Sequence, residues 1–309
     1  MTRNEQQVFP NDDSSGSSNG SVDQFALIEF TPESPLRNPI KMILEIAGSI
    51  WSGRTLAWRM FVRNIKGLYR QTVLGLFWAF LPPLANTALW VVLSNGGVTN
   101  FAESLGDKYI IYVLAGMVMW QAFIEGLQVP LKSVKSNKHM LSKLRFPRES
   151  VLMVGVFETF FNLAVRSLVL IPFMIWCGCG VQFSTLLVPV CAVLLVFLSV
   201  GMGCFLMPMG MLYQDVEKFL VVALPLWMLA TQIVWPPPFE TVSEWAVHPF
   251  NWCNPASPLL LYARDLLVLG ESMHATTALV YGLVAIPLCV LGLIVFRVSV
   301  PVLVERVSS

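Results

Sequence analysis

The chain has 309 residues, 55% of them hydrophobic and 13% charged, whereas a soluble domain carries roughly 25% charged residues to keep its surface wet. That balance excludes a pair of water-soluble domains, and a formal net charge of +1 supplies no basic field to hold nucleic acid. The charges that do occur are unevenly placed along the chain, and their placement carries most of the information.

Residues 1–39 lack an apolar core and are rich in Ser, Asn, Asp, Gly and Pro, which predicts a disordered cytoplasmic tail and no signal peptide. Region 40–71 reads as an interface region. Within it Trp58, Phe61, Val62, Ile65, Leu68 and Tyr69 share one helical face, while Arg59, Arg63, Lys66 and Arg70 share the other, with Arg54 nearby. This pattern predicts an amphipathic helix lying in the membrane surface, its basic stripe among lipid phosphates. The string GSIWSGRT at 48–55 imitates a phosphate-binding loop, but it has Arg54 in place of lysine and no strand before it, so no nucleotide site is assigned.

A spanning helix needs about 20 mainly apolar residues. Six windows qualify, at 72–93, 109–127, 151–176, 186–209, 219–235 and 278–298, predicting an all-α integral membrane protein with a six-helix domain over 72–309. The loop 128–150 carries Lys132, Lys135, Lys138, Lys143, Arg145 and Arg148, and the region before the first window is also basic. Both belong in the cytoplasm by the positive-inside rule, which puts both termini there too. The alternate segments agree. Segment 94–108 has only Lys108, 177–185 has no basic residue, and 236–277 has only Arg264.

Segment 236–277 is too long for a turn, and its middle, 257–269, is apolar but too short to span. Short re-entrant helices in the outer leaflet are expected before the last span. Backbone around Pro236, Pro237, Pro238 and Pro255 can exist at that depth only where protein or water shields it, which implies an outer vestibule.

Three charges fall inside windows: Glu125, Glu158 and Arg166. Ionisable groups in lipid are costly and normally face a bundle interior or a wet cavity; a transport role and simple contacts with helix ends remain equal alternatives. The aromatics Phe77, Trp78, Phe80, Trp90, Tyr109, Tyr112, Trp120, Phe123, Trp227 and Trp235 anchor at interfaces or line a conduit on which sugar faces stack. His139, His248 and His274 lie in different loops, and no metal or catalytic motif spacing is present, so neither a metal site nor an enzyme is expected. Of six cysteines, Cys177, Cys179 and Cys253 lie where an oxidising compartment is reachable, and their redox state is left open.

Several strings, in order, resemble the membrane permease subunit of type-2 ATP-binding-cassette exporters, in the branch that exports polysaccharide such as O-antigen, capsule or teichoic acid. RNIKGLYRQTVLGLFWAFLPPL at 63–84 resembles the family's basic interfacial helix entering its first span, with Asn64 where an acidic residue is common. YVLAGMVMWQAFIEGL at 112–127 and SNKHMLSKLRFPRES at 136–150 resemble the second span and the cytoplasmic loop, Phe146, Pro147, Arg148 and Glu149 being the most specific match. MLYQDV at 211–216 resembles the turn between spans four and five, which carries Tyr213 and Asp215 and has Gln214 in place of arginine. NPASPLL at 254–260 resembles the outer re-entrant segment.

The resemblance implies a homodimer in the bacterial inner membrane with two copies of a cytoplasmic ATPase. ATP and Mg would be bound by that partner, leaving this chain without a cofactor. Its docking residues would be Asn137, Met140, Leu141, Phe146, Pro147, Arg148 and Glu149, on a coupling helix whose face includes Val134 and Leu144. The path or headgroup contacts would be Arg59, Arg63, Lys66, Arg70, Trp78, Tyr112, Trp120, Glu125, Glu158 and Arg166. The cargo would be a lipid-linked polysaccharide entering from the inner leaflet. A permease for a drug or lipid is the alternative; a membrane-embedded sugar transferase would need a carboxylate, histidine or metal cluster that the sequence lacks.

Overall fold

A computed structural model describes residues 39–70, 77–97, 105–106, 108–143, 146–178, 180, 182–234, 253–270, 272 and 274–308. The N-terminal tail, the start of the first window, Leu144, Arg145, Cys179 and the stretch holding Pro236, Pro237, Pro238 and His248 lie outside the described residues, as do the side chains of Tyr69 and Arg70.

Regular structure among the described residues is entirely helical. In chain order the helices are α1 (Pro39–Arg70), α2 (Phe77–Asn95), α3 (Lys108–Ser136), α4 (Lys138–Lys143), α5 (Glu149–Trp176), α6 (Val188–Leu212, entered through a 3-10 turn, Phe183–Leu187), α7 (Asp215–Ala230), α8 (Ser257–Val268) and α9 (Ala275–Ser308). Five of them, α2, α3, α5, α6 with its lead-in turn, and α9, are long and apolar enough to cross a membrane. The protein is therefore multi-pass.

The fifth window differs from expectation. Its helix, α7, has 16 residues, or about 24 Å at 1.5 Å per residue, against a hydrocarbon core of about 30 Å. Its apolar run continues to Val234, but Gln232 takes φ 57° and the helix ends before it. The carbonyls of Gln232 and Ile233 instead accept hydrogen bonds from the Arg264 guanidinium at 2.8 and 3.4 Å.

Helix α3 is the central post, with Tyr109 and every residue from Ile111 to Trp120 buried. Glycine lets its neighbours approach closely. A Cβ on Gly203 of α6 would stand 2.3 Å from the Leu127 carbonyl oxygen of α3, and one on Gly292 of α9 would stand 2.6 Å from the Gly201 carbonyl oxygen of α6. Backbones in this contact leave no room for a side chain, the packing used where the hydrophobic effect no longer separates helix from lipid. The result is a tight α3–α6–α9 core around which α1, α2, α5, α7 and α8 are arranged.

The sequence predicts two faces on α1, and the structure has three. At the 3.6-residue repeat, Glu45, Ser49, Gly53, Ala57 and Asn64 align on one side. Ala57, Met60 and Phe61 are buried with Val154 of α5, and Gly53 sits against Ser150. Phe61 meets the rings of Phe157 and Phe161 edge-on, with centroids 6.0 Å apart in both cases. Trp51 and Trp58 are exposed on a second side, and Arg59, Arg63 and Lys66 on a third. Part of the apolar face expected in lipid is thus bound to protein, because the inner half of α5 offers matching aromatic surface.

The 48–55 string is helical and lies inside α1. Cys191, Cys204, Cys253 and Cys289 are free thiols. Helix α8 has 12 residues, and all but Tyr262 are buried, so the short apolar segment is seated in protein.

Candidate coupling and transport site

The loop after α3 is built by a break between α3 and α4. Asn137 makes the turn. Its side-chain Nδ2 donates to the Ser133 carbonyl at 3.0 Å, while its own carbonyl accepts from the amides of Met140 and Leu141 at 3.0 and 2.9 Å. The hydrogen bonds that end one helix thereby start the next.

Helix α4 points Leu141 inward, and Val134 at the end of α3 is fully buried. These two of the expected docking residues are held by the bundle, whose apolar surface is nearer than any partner. His139, Ser142 and Lys143 face outward, and Met140 is half-buried. Phe146, Pro147 and Arg148 are half-buried and lead into α5. Together with Ser49, Leu141, Ser142, Lys143, Glu149 and Arg297 they line an open cleft of about 520 Å³. A mixed apolar and basic cleft of that size accepts a protruding element carrying an apolar anchor and an acidic rim.

At the floor of the cleft, Arg297 of α9 donates through Nη1 to Glu149 Oε1 at 3.1 Å and to Ser49 Oγ at 3.3 Å, and through Nη2 to Glu45 Oε2 at 3.2 Å. Glu149 is buried and opens α5, where the positive end of the helix dipole also favours a carboxylate. Sequence reading placed Glu149 correctly in the loop string but gave Arg297 no role beyond topology.

The three intramembrane charges are each partnered. Arg166 of α5 pairs with Glu125 of α3 at 2.5 Å, and Asn162 Nδ2 donates to the other Glu125 oxygen at 3.1 Å. Arg166 Nε also donates to the Ala79 carbonyl of α2 at 3.2 Å. Pro83 stands four residues after Ala79 and has no N–H, so that carbonyl has no donor within its own helix. Arg166 therefore satisfies a backbone group that proline exposes. Its Nη1 is buried with no hydrogen-bond partner among the described residues. Glu158 accepts from Asn64 Nδ2 of α1 at 2.9 Å, so the asparagine at the family's acidic position is a donor to a carboxylate.

The other named positions divide by exposure. Arg59, Arg63, Lys66, Trp78, Tyr213 and Asp215 are exposed. Tyr112 and Trp120 are fully buried. Trp120 stacks on Phe123 at 5.3 Å, and both meet Trp227 of α7 edge-on. Asp215, first residue of α7, pairs with Lys218 at 3.4 Å in the open, and Lys135 reaches Glu217 at 2.8 Å.

A second polar cluster, at the opposite end of the bundle, was not singled out from sequence. Arg264 lies over the Tyr112 ring at 3.8 Å and pairs with Asp265 at 3.0 Å, both side chains being buried. The other Asp265 oxygen accepts from Ser272 Oγ at 3.1 Å, with His274 Nε2 at 4.0 Å. Asn254 accepts from Trp227 Nε1 at 2.9 Å and from the Ala256 amide at 3.1 Å, and donates to Thr231 Oγ1 at 3.0 Å. This network ties the end of α7 to α8. The available signal was an Arg-Asp pair inside a 12-residue apolar helix, which only burial justifies.

Comparison with known proteins agrees with this architecture. The sequence pattern described as "ABC-2 type transporter" matches residues 55–266, more than two thirds of the chain. A curated relative, the O-antigen export system permease protein RfbA of Myxococcus xanthus, is 24% identical over 202 residues, covering 63% of this chain and 73% of that protein. The chain is accordingly a multi-pass membrane protein belonging to the ABC-2 type transporter family, a transport component and not a catalyst.

Proposed function

We propose that the protein is the transmembrane subunit of an ATP-driven exporter of a lipid-linked polysaccharide, of O-antigen, capsule or teichoic-acid type, in the bacterial inner membrane. Two copies pair around a shared path, and each engages one copy of a cytoplasmic ATPase that binds ATP and Mg. The observation that carries the ATP-driven part is the cleft at the α4–α5 junction. It is lined by the loop string, bordered by Lys143 and Arg148, and joined at its floor to α1 and α9 through Arg297. The substrate class is supported by the likeness to an O-antigen export permease.

In this reading α7 is a short fifth crossing, giving six in all with both termini cytoplasmic. The outer network of Arg264, Asp265 and Asn254 completes its outer end, with α8 as the re-entrant element. The exposed basic side of α1, Arg59, Arg63 and Lys66, meets the phosphates of the lipid carrier at the inner leaflet. Nucleotide-driven closure of the ATPase pair moves the docking loop and biases the bundle between two states.

The test is genetic. The gene is deleted in its host and restored with or without its partner ATPase, and surface and cytoplasmic glycan are extracted separately. Polymer held in the cytoplasm until both proteins are restored supports the proposal, and normal surface glycan in the deletion strain refutes it.

A further inference from the structure

We infer that Arg297 is the positioning residue that converts movement of the docking loop into joint movement of the interfacial helix α1 and the last span α9. This deepens the proposed ATPase coupling and rests on that reading.

Three separate elements meet on one guanidinium. Glu149 is the first residue of α5, immediately after Phe146, Pro147 and Arg148, so any force applied to the loop string reaches its carboxylate within one turn. Glu45 and Ser49 are one turn apart on the inner side of α1, and both bond Arg297, at 3.2 and 3.3 Å. Arg297 itself is carried by α9, whose core-facing side is locked to α6 at Gly292. The planar guanidinium fork holds several acceptors in fixed directions, which a lysine ammonium does not.

The backbone around the hub matches this role. Pro301 stands four residues after Arg297 within α9 and cannot donate to the Arg297 carbonyl, so the helix is weakened just beyond the hub. The turn of α9 that carries Arg297 can shift there against the portion packed on α6 at Gly292. On α1 the stripe of Ser49, Gly53, Ala57 and Asn64 is seated against protein from the hub to Glu158, over about 22 Å of helix. A pull at Glu45 and Ser49 therefore displaces α1 as a rigid rod, and with it the exposed basic side facing the lipid headgroups. Glu149 is buried and Glu45 exposed, so the cluster runs from the protein interior to its surface.

The experiment uses the full complex of permease and ATPase, expressed in the deletion host, with three readouts: permease level in the membrane, ATP hydrolysis by the purified complex, and host glycan at the cell surface. Arg297→Gln is expected to keep the permease level within about 2-fold while surface glycan falls at least 10-fold and glycan per ATP hydrolysed falls at least 3-fold. Arg297→Lys is expected to retain the permease level and lose at least 3-fold in glycan per ATP hydrolysed. Arg297→Glu is expected to be restored at least 3-fold by the charge exchange Glu45→Arg. Normal export in Arg297→Gln would overturn the inference, and so would hydrolysis and export falling together in Arg297→Lys at unchanged permease level. A wild-type permease that recovers no ATPase subunit would instead overturn the underlying coupling proposal.

Discussion

Replacing Arg166 with methionine is the sharpest probe of the membrane interior. The substitution keeps the length of the side chain and removes its charge. Glu125, whose side chain is 21% exposed, then retains only the Asn162 amide at 3.1 Å, and the Ala79 carbonyl exposed by Pro83 loses its donor. Breaking a buried ion pair from one side costs about 3–5 kcal/mol, and an unsatisfied buried carbonyl costs about 1–3 kcal/mol. The partial exposure of Glu125 lowers the first figure, so a loss of about 4 kcal/mol is expected. In the double variant Arg166→Met with Glu125→Leu no charge is left stranded, and only the Ala79 carbonyl and the Asn162 amide, which donated to Glu125, lose a partner, so the loss should shrink to about 2–3 kcal/mol. Equilibrium unfolding of the purified protein in mixed detergent micelles measures Arg166→Met, Glu125→Leu and the double variant, and the cycle should give a coupling of at least about 2 kcal/mol. Additive losses would refute the argument that these residues act as one pair.

Other substitutions follow from the same geometry. Gly203→Ala puts a methyl 2.3 Å from a backbone oxygen of α3, and the forced separation should cost about 2 kcal/mol after the gain in helix propensity, read as a lower unfolding midpoint. Arg264→Leu strands Asp265 and frees the two carbonyls that end α7; a loss of about 3–5 kcal/mol and increased protease cleavage after residue 230 are expected. Phe146→Ala should leave membrane insertion intact and reduce co-purifying ATPase several-fold, measured by pull-down from detergent extracts.

The multi-pass character and five of the six windows are legible in the sequence because length and hydropathy act locally. The string Phe146, Pro147, Arg148 and Glu149 stands out in the sequence as a continuous motif, and in the structure these residues line one cleft. What was not legible depends on partners far away in the chain. The end of α7 is captured by Arg264, 32 positions after Gln232, so its apolar run reads as a full span. The protein-facing side of α1 mixes the small residues Ser49, Gly53 and Ala57 with Met60 and Phe61, a pattern that acquires meaning only against α5. The pairing of Glu125 with Arg166 bridges two helices 41 positions apart, and its link to Ala79 exists because a proline in α2 left a carbonyl free. Arg297 looked like a topology marker until α1 and α5 were placed beside it.

The measurement that bears most directly on the central claim uses inverted inner-membrane vesicles loaded on the outside with the host's lipid-linked polymer. Adding ATP should make the polymer resistant to a glycan-degrading enzyme only when both this permease and its ATPase are present, and Arg297→Gln should abolish the protection. Equal protection in vesicles without the permease, or none in complete vesicles hydrolysing ATP, would contradict the account.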